Sequence, residues 1–321
     1  MVPERGGLPV HKATGIICRM QLVIPFAVPG SEAGRQVALA LQLPRLQLWL
    51  GSRAAGARDE GDEWSLTPPH ERALARARGW AGADGALPFA AHAAFADGID
   101  VGDLAWGQLT PVHWHLGTEQ ISLVDPAALV LDEATSRALF EAVAPLFISE
   151  GYVLAWGAPL RWYAAHEIFA DLPVASLDRV IGRNVDRWLG ADPAARRVRR
   201  LQAEVQMLLH EHAVNREREA RGQLPVNSFW LSGCGVAQAS RGHVQVDDRL
   251  RAPALADDWA AWARAWETID EGLAAKPEAV LTLCGERGAA SFGPGRRGFA
   301  GPAFWQRRQG GAAWAQLVET L

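Results

Sequence analysis

The chain has 321 residues, 49% of them hydrophobic and 21% charged, with a formal net charge of −4. That length buries one large core or two modest ones, and the balance is that of a globular chain rather than a disordered or fibrous one. A weakly acidic total sets up no global field toward nucleic acid or an anionic membrane, and no apolar run approaches the ~20 residues that span a bilayer.

The cysteines, Cys18, Cys234 and Cys284, are too few and too scattered for a disulfide framework or a zinc cluster. A reducing compartment follows, and cytoplasmic localisation is expected. Residues 1–19 lack the apolar core and small-residue cleavage site of a signal peptide. They are expected to be a mis-annotated or disordered extension, with Met20 as the true start. Fourteen Trp stand against two Tyr. Trp is a large apolar filler with one N–H to satisfy, so most are expected in the core; the alternative is an exposed aromatic surface that makes the chain an interaction scaffold.

In chain order, Gln21–Phe26 reads as a short buried strand. Pro29-Gly30-Ser31 then turns the chain, and Ser31 caps a helix over Glu32–Gln42. The small and polar stretch Gly51–Asp62 is expected as an exposed loop. Pro68–Glu71 opens a helix carrying Leu74 and Trp80, and Gly82–Gly102 takes no assignment. Gln108–Leu116 and Gln120–Val124 read as a hairpin around Gly117-Thr118-Glu119. Asp132 caps a helix over Glu133–Phe147, with Pro145 disturbing its last turn. Tyr152–Trp156 and Leu160–Tyr163 form a second hairpin, and Ser176 caps a helix over Leu177–Leu189.

Asp192-Pro193 starts a helix that should run to about Arg221 and stop at Gly222. Val226–Leu231 follows as a strand, which Gly233-Cys234-Gly235 leaves. A helix over Ala256–Leu273 places Trp259, Trp262 and Trp266 on one face. Ala279–Cys284 is another buried strand, and a Gly-rich basic loop over Gly285–Gly301 leads to a last helix near Ala312–Leu321. Strands and helices interleave, so the fold class is α/β, a mixed sheet with helices packed on it. Residues 20–321 are expected as a single compact domain with a candidate division into two lobes near Gly190.

Two polar groups stand out. His113 and His115 flank Trp114 on a presumed strand, so both imidazoles face one side; His-x-His is a metal-ligand spacing that still needs a third ligand. The second group is Gln206, His210, His212, Asn215, Arg216, Arg218, Asn227 and Trp230, packed into one helix, one turn and one strand. A buried polar group without a partner costs about 1–3 kcal/mol, so these side chains either bond one another or meet a ligand, with Arg216, Arg218 and Asn227 suited to an anion. Gly233-x-Gly235 is a plain turn or a close backbone approach to a phosphate. Glu286-Arg287 and Arg296-Arg297 are expected on a solvated loop. No Walker loop, Rossmann fingerprint, Gly-x-Ser-x-Gly or His-Glu-x-x-His occurs.

The pattern His212-x-x-Asn215-x-x-x-Glu219-x-x-Gly222, then Pro225-Val226-Asn227-Ser228-x-Trp230-x-x-Gly233-x-Gly235, resembles that of a bacterial family of RpfE-type regulatory proteins often labelled phosphoglycerate mutase. It is similar, over a shorter segment, to archaeal-type cofactor-independent phosphoglycerate mutases. Val23-Ile24-Pro25-Phe26-Ala27, Pro111-Val112-His113-x-His115, Asp125-Pro126, Gly182-Arg183-Asn184 and Leu281–Glu286 carry the resemblance further. It implies an alkaline-phosphatase-like or phosphoglycerate-mutase-like fold, in degenerate form at most. Two-metal phosphoryl transfer needs Asp and His ligands around a Ser or Thr nucleophile. After the first strand this chain has Pro25-Phe26-Ala27-Val28-Pro29-Gly30, and after the last buried strand Cys284-Gly285-Glu286-Arg287.

The expected function is therefore regulatory or ligand-sensing, without a cofactor, with a small anionic metabolite as the candidate partner and neither membrane nor nucleic acid involved. The alternative is a phosphomutase or phosphatase with two Mn or Zn ions, to which His113 and His115 would contribute.

Overall fold

The computed structural model describes residues 20–118, 120–296 and 302–321; the proposed extension over residues 1–19, Cys18, Glu119 and Arg297 lie outside them. The described residues form two sheets and a separate hairpin. The first sheet draws on both ends of the chain: β1 (Gln21–Ile24), β2 (Arg53–Glu60), β9 (Val244–Val246), β10 (Val280–Cys284) and β11 (Gly288–Arg296), in the order β2-β11-β10-β1-β9. β1 runs parallel to β9 and β10, while β10–β11 and β11–β2 are antiparallel, so the sheet is mixed, as the interleaved pattern predicts.

Side chains alternate across a strand. The register Leu22↔Leu281 and Ile24↔Leu283 sends four aliphatic residues to the face covered by α1 (Glu32–Ala40), α2 (Pro44–Ser52), α10 (Trp259–Leu273) and α11 (Ala303–Thr320). Val23, Cys284 and Ala289 face α3 (Pro69–Arg78) through Ala73. Covered on both faces, β1 and β10 read as nearly continuous apolar runs, broken in β10 by the buried Thr282.

The second sheet is antiparallel, in the order β6-β7-β3-β8, from β3 (Ala105–Val112), β6 (Val153–Ala158), β7 (Arg161–Ala165) and β8 (Ser228–Val236). α4 (Phe89–Ala96) packs on one face; α5 (Glu133–Ser149) and α7 (Pro193–His210) pack on the other. A hairpin of β4 (Trp114–Leu116) and β5 (Ile121–Leu123) and the short helices α6 (Leu177–Val180), α8 (Ala213–Ala220) and α9 (Arg251–Leu255) complete the chain. The second lobe is thus nested inside the first. The chain passes between them after α3 and again between β8 and β9; Gly190 lies within the second lobe, ahead of α7.

Ser31, Asp132, Ser176 and Asp192 cap their helices as expected, each accepting a backbone N–H of the first turn. Several expectations are corrected. Gly51–Asp62, and Gly285–Gly301 as far as it is described, are not loops: they contain β2 and β11, which pair with each other across more than two hundred residues. The helix expected over Leu177–Leu189 ends at Val180, because Gly182 takes φ +74° and donates its N–H to Leu123 O. Gln108–Leu116 is not one strand: His113 lies between β3, which joins the second sheet, and β4. Gly233–Gly235 stays within β8. The helix expected to run to Arg221 breaks at Glu211–His212, where His212 Nδ1 accepts from Val214 N and caps α8.

Among the described residues every tryptophan is buried except Trp64, Trp156, Trp259 and Trp305. On α10, Trp262 and Trp266 do more than fill space: their indole N–H groups donate to Phe26 O (2.9 Å) and Ala27 O (3.1 Å). The core helix thereby holds the loop that leaves β1.

Candidate functional site

The polar run that stands out in the sequence mostly binds backbone. Asn215 Nδ2 donates to Leu209 O (2.9 Å) and Val226 O (2.7 Å), while its Oδ1 accepts from Val226 N (3.0 Å). Arg218 Nε donates to Leu224 O, Trp230 Nε1 to Ala175 O, and Asn227 pairs with both the N–H and C=O of Trp114 at 2.7 and 2.9 Å. Gln206, His210 and Asn227 line one open groove with Met207 and Glu211. His212 is the cap, Arg216 is exposed on α8, and Arg218 and Asn215 are turned into the fold.

His113 Nδ1 donates to Pro225 O (2.9 Å), and its ring centroid lies 6.5 Å from that of exposed His115. Among the described residues no group of three or more His, Cys, Asp or Glu is assembled to hold a metal ion. Burial pushes the Cys234 and Cys284 thiols far above their ordinary range, so neither is a poised thiolate.

A different place collects the features of a site. In an open α/β sheet the crevice beyond the carboxyl ends of the parallel strands is where ligands bind. Beyond β1 and β10 lies such a crevice, about 590 Å³, between the Phe26–Ser31 loop, the start of α1, Arg183, the α9–α10 junction and the Glu286–Arg287 turn. Two of its lining residues hold left-handed backbone without being glycine, Phe26 (φ +54°) and Asp257 (φ +52°). Such strain costs on the order of 1–3 kcal/mol per residue and collects at functional sites. At Phe26 the indole bonds from α10 and the Ala27 N–H to Cys284 O (2.7 Å) hold the strained turn in place.

Behind the crevice a charged cluster joins the lobes. Arg179, only 2% exposed, donates through Nη1 to Glu286 Oε1 (2.9 Å) and Glu286 O (3.0 Å), and through Nη2 to Ser65 Oγ and Asp62 O. Arg183 reaches the same Glu286 Oε1 at 2.7 Å. The Phe26 ring lies tilted against His70 at 5.3 Å, and His70 Nε2 lies 3.2 Å from Asp178 Oδ2. Arg251 Nε donates to Asp178 Oδ1 at 2.9 Å. Burial opposes ionisation of Asp178, but the His70 bond and the Arg251 charge together hold it well below the usual carboxylate range. Glu71, which accepts from Ser176 Oγ, goes the other way: burial pushes it up to about 7.

Glu286 therefore does not sit on a solvated loop, as its sequence suggests, but on a tight turn between β10 and β11, claimed by two arginines. Arg179, Asp178, His70 and Glu71 escape a reading by sequence. Each looks like a solvated helix charge, and their partners lie about a hundred residues away. Arg183 carries a signal, as part of Gly182-Arg183-Asn184, and so does Glu286, within Leu281–Glu286.

No protein-family model matches this chain, and no curated protein does, so the RpfE-type likeness rests on sequence motifs alone. Among solved structures the chain is similar to a cofactor-independent phosphoglycerate mutase from Thermoplasma acidophilum DSM 1728, with 17% identity and a TM-score of 0.37 over 85% of this chain and 89% of that one. It is also similar to the PH0037 protein from Pyrococcus horikoshii, with 11% identity and a TM-score of 0.42 over 94% of this chain and 98% of that one. Likenesses of this strength carry no argument about site or activity, and the functional reading rests on the geometry of this chain.

Proposed function

We propose that this protein is a ligand-sensing protein that binds a small anionic metabolite in the crevice beyond β1 and β10. The observation that carries the reading is the pair Arg179 and Arg183 on a single carboxylate, one guanidinium buried and one at the rim. The local sum is one positive charge beside a strained, open crevice, and guanidinium is the side chain suited to carboxylate and phosphate. The regulatory role is supported by position. Arg179 lies in α6 of the second lobe and Arg183 just after it, whereas Glu286 belongs to the first, so an anion held there bears on the contact between lobes.

The test is thermal unfolding with inorganic phosphate, malonate and glycerol phosphate. A ligand at a hundred times its Kd stabilises by about 2.7 kcal/mol, a rise that Arg183→Ala should abolish while leaving the unliganded transition cooperative. An undiminished rise in Arg183→Ala sinks the reading. A second seat for the same class of ligand is the groove of Gln206, His210 and Asn227, favoured because these three side chains do converge there. Loss of the response in Gln206→Ala but not in Arg183→Ala would move the site to it. Elemental mass spectrometry of dialysed protein addresses phosphoryl transfer: about two equivalents of Mn or Zn per chain would replace ligand sensing with a two-metal enzyme.

A further inference from the structure

Glu286 holds its place weakly for a residue claimed by two arginines. Both bonds fall on Oε1, where a carboxylate facing two guanidiniums can offer both oxygens in forked pairs. Oε2 makes no hydrogen bond among the described residues and lies on the side of Gly30, where a built Cβ would stand 3.8 Å from it. The side chain is 24% exposed and lines the crevice. Arg179 does not depend on that carboxylate to stay seated. Glu286 O, Asp62 O and Ser65 Oγ also accept from it, and its Nε is buried without a partner. Arg183 is 39% exposed and lines the same crevice. One cationic donor, Arg179, is thus held ready by other bonds, the second, Arg183, stands at the rim, and the group between them is a side chain with a route to solvent.

We propose that Glu286 is an internal counter-ion occupying the seat of the ligand's own oxyanion, a carboxylate or a phosphate, which displaces it toward the crevice mouth and takes both guanidiniums. The inference rests on the reading that the crevice binds an anion. It adds the chemical class recognised and the residue that sets the affinity. Because Arg179 is preorganised, a ligand loses little in ordering it, and the Glu286 charge is what it must overcome. A cation or a neutral sugar has no such exchange to make.

The experiment is titration calorimetry at low salt with inorganic phosphate and with malonate, on wild type, Glu286→Gln and Arg183→Ala. Glu286→Gln keeps the shape and removes the competing charge, so it should bind at least one of the anions about tenfold more tightly than wild type, the scale of one charge removed at contact distance. Tightening toward phosphate alone assigns the seat to a phosphate group, and toward malonate alone to a carboxylate. Glu286→Asp, which withdraws the carboxylate by one methylene, should tighten binding less and stands in if the Gln variant fails to fold. Wild-type binding that Arg183→Ala abolishes but neither Glu286 variant improves overturns the counter-ion role and leaves the crevice as the binding site. Absence of binding in wild type and both Glu286 variants overturns the counter-ion and the crevice together.

Discussion

A guanidinium that is 2% exposed has given up nearly all its hydration, and Arg179 replaces it with bonds to Glu286, Asp62 and Ser65 from two parts of the chain. Removing one partner of a buried ion pair costs about 3–5 kcal/mol. Arg179→Met is therefore expected to lower the unfolding free energy by about 3 kcal/mol, measured by urea denaturation; a loss under about 0.5 kcal/mol, the scale of an exposed pair, would contradict the buried cluster. Glu71 gives a second test at this scale. Its carboxyl rises from an ordinary 4.5 to about 7, so between those values the folded chain holds a proton that the unfolded chain has lost. That contribution is full below pH 4.5 and is lost as pH rises through 7. Glu71→Gln should therefore stabilise the protein at pH 8 by up to about 3 kcal/mol and change little at pH 5. Equal effects at the two pH values would show that Glu71 does not titrate in this window. Of these residues only Ser176, as a helix cap, is legible in the sequence, because a cap is a local signal and an ion pair between lobes is not.

At the scale of elements, the break between α7 and α8 shows where pattern reading stops. After Pro193 the run to Arg221 has no Gly or Pro and reads as one helix. Asn215 decides otherwise. Its amide takes the carbonyls of Leu209 and Val226 and the N–H of Val226, binding the helix break to the residue that enters β8. These are tertiary bonds, and no local propensity encodes them. Asn215→Ala leaves buried backbone groups unpaired and is expected to cost about 2–3 kcal/mol. Faster amide exchange at Val226 would be the sign; unchanged protection there would mean that the strand does not need the side chain. β2 and β11 fail a local reading for the same reason. Gly- and Ala-rich segments have little strand propensity, and they become strands only because each supplies the other's ladder.

The whole molecule is closed by contacts between the ends of the chain. α2 and α11 approach so closely that a Cβ on Gly51 would lie 1.9 Å from Gln306 O, and one on Gly310 would lie 1.7 Å from Gln47 O. Gly310→Ala must push the helices apart and is expected to cost about 2–3 kcal/mol, the range of overpacked cores, with a fall in Tm; an unchanged Tm would refute the close crossing. The nesting of an antiparallel lobe inside a mixed one lies beyond any window of sequence, because strand partners are chosen by the burial they complete rather than by nearness in the chain. What the sequence by itself determined is local and periodic: the apolar strands β1 and β10, the four polar helix caps, the tryptophan face of α10 and the α/β class. Each follows from one side chain's conformational preference or from a repeat of two or 3.6 residues. The tertiary structure alone decided which polar groups are spent on backbone and which charges meet. A hydrogen bond or an ion pair depends on the separation of two groups in space, and Arg179 and Glu286, 107 positions apart, come within 2.9 Å only when the lobes pack.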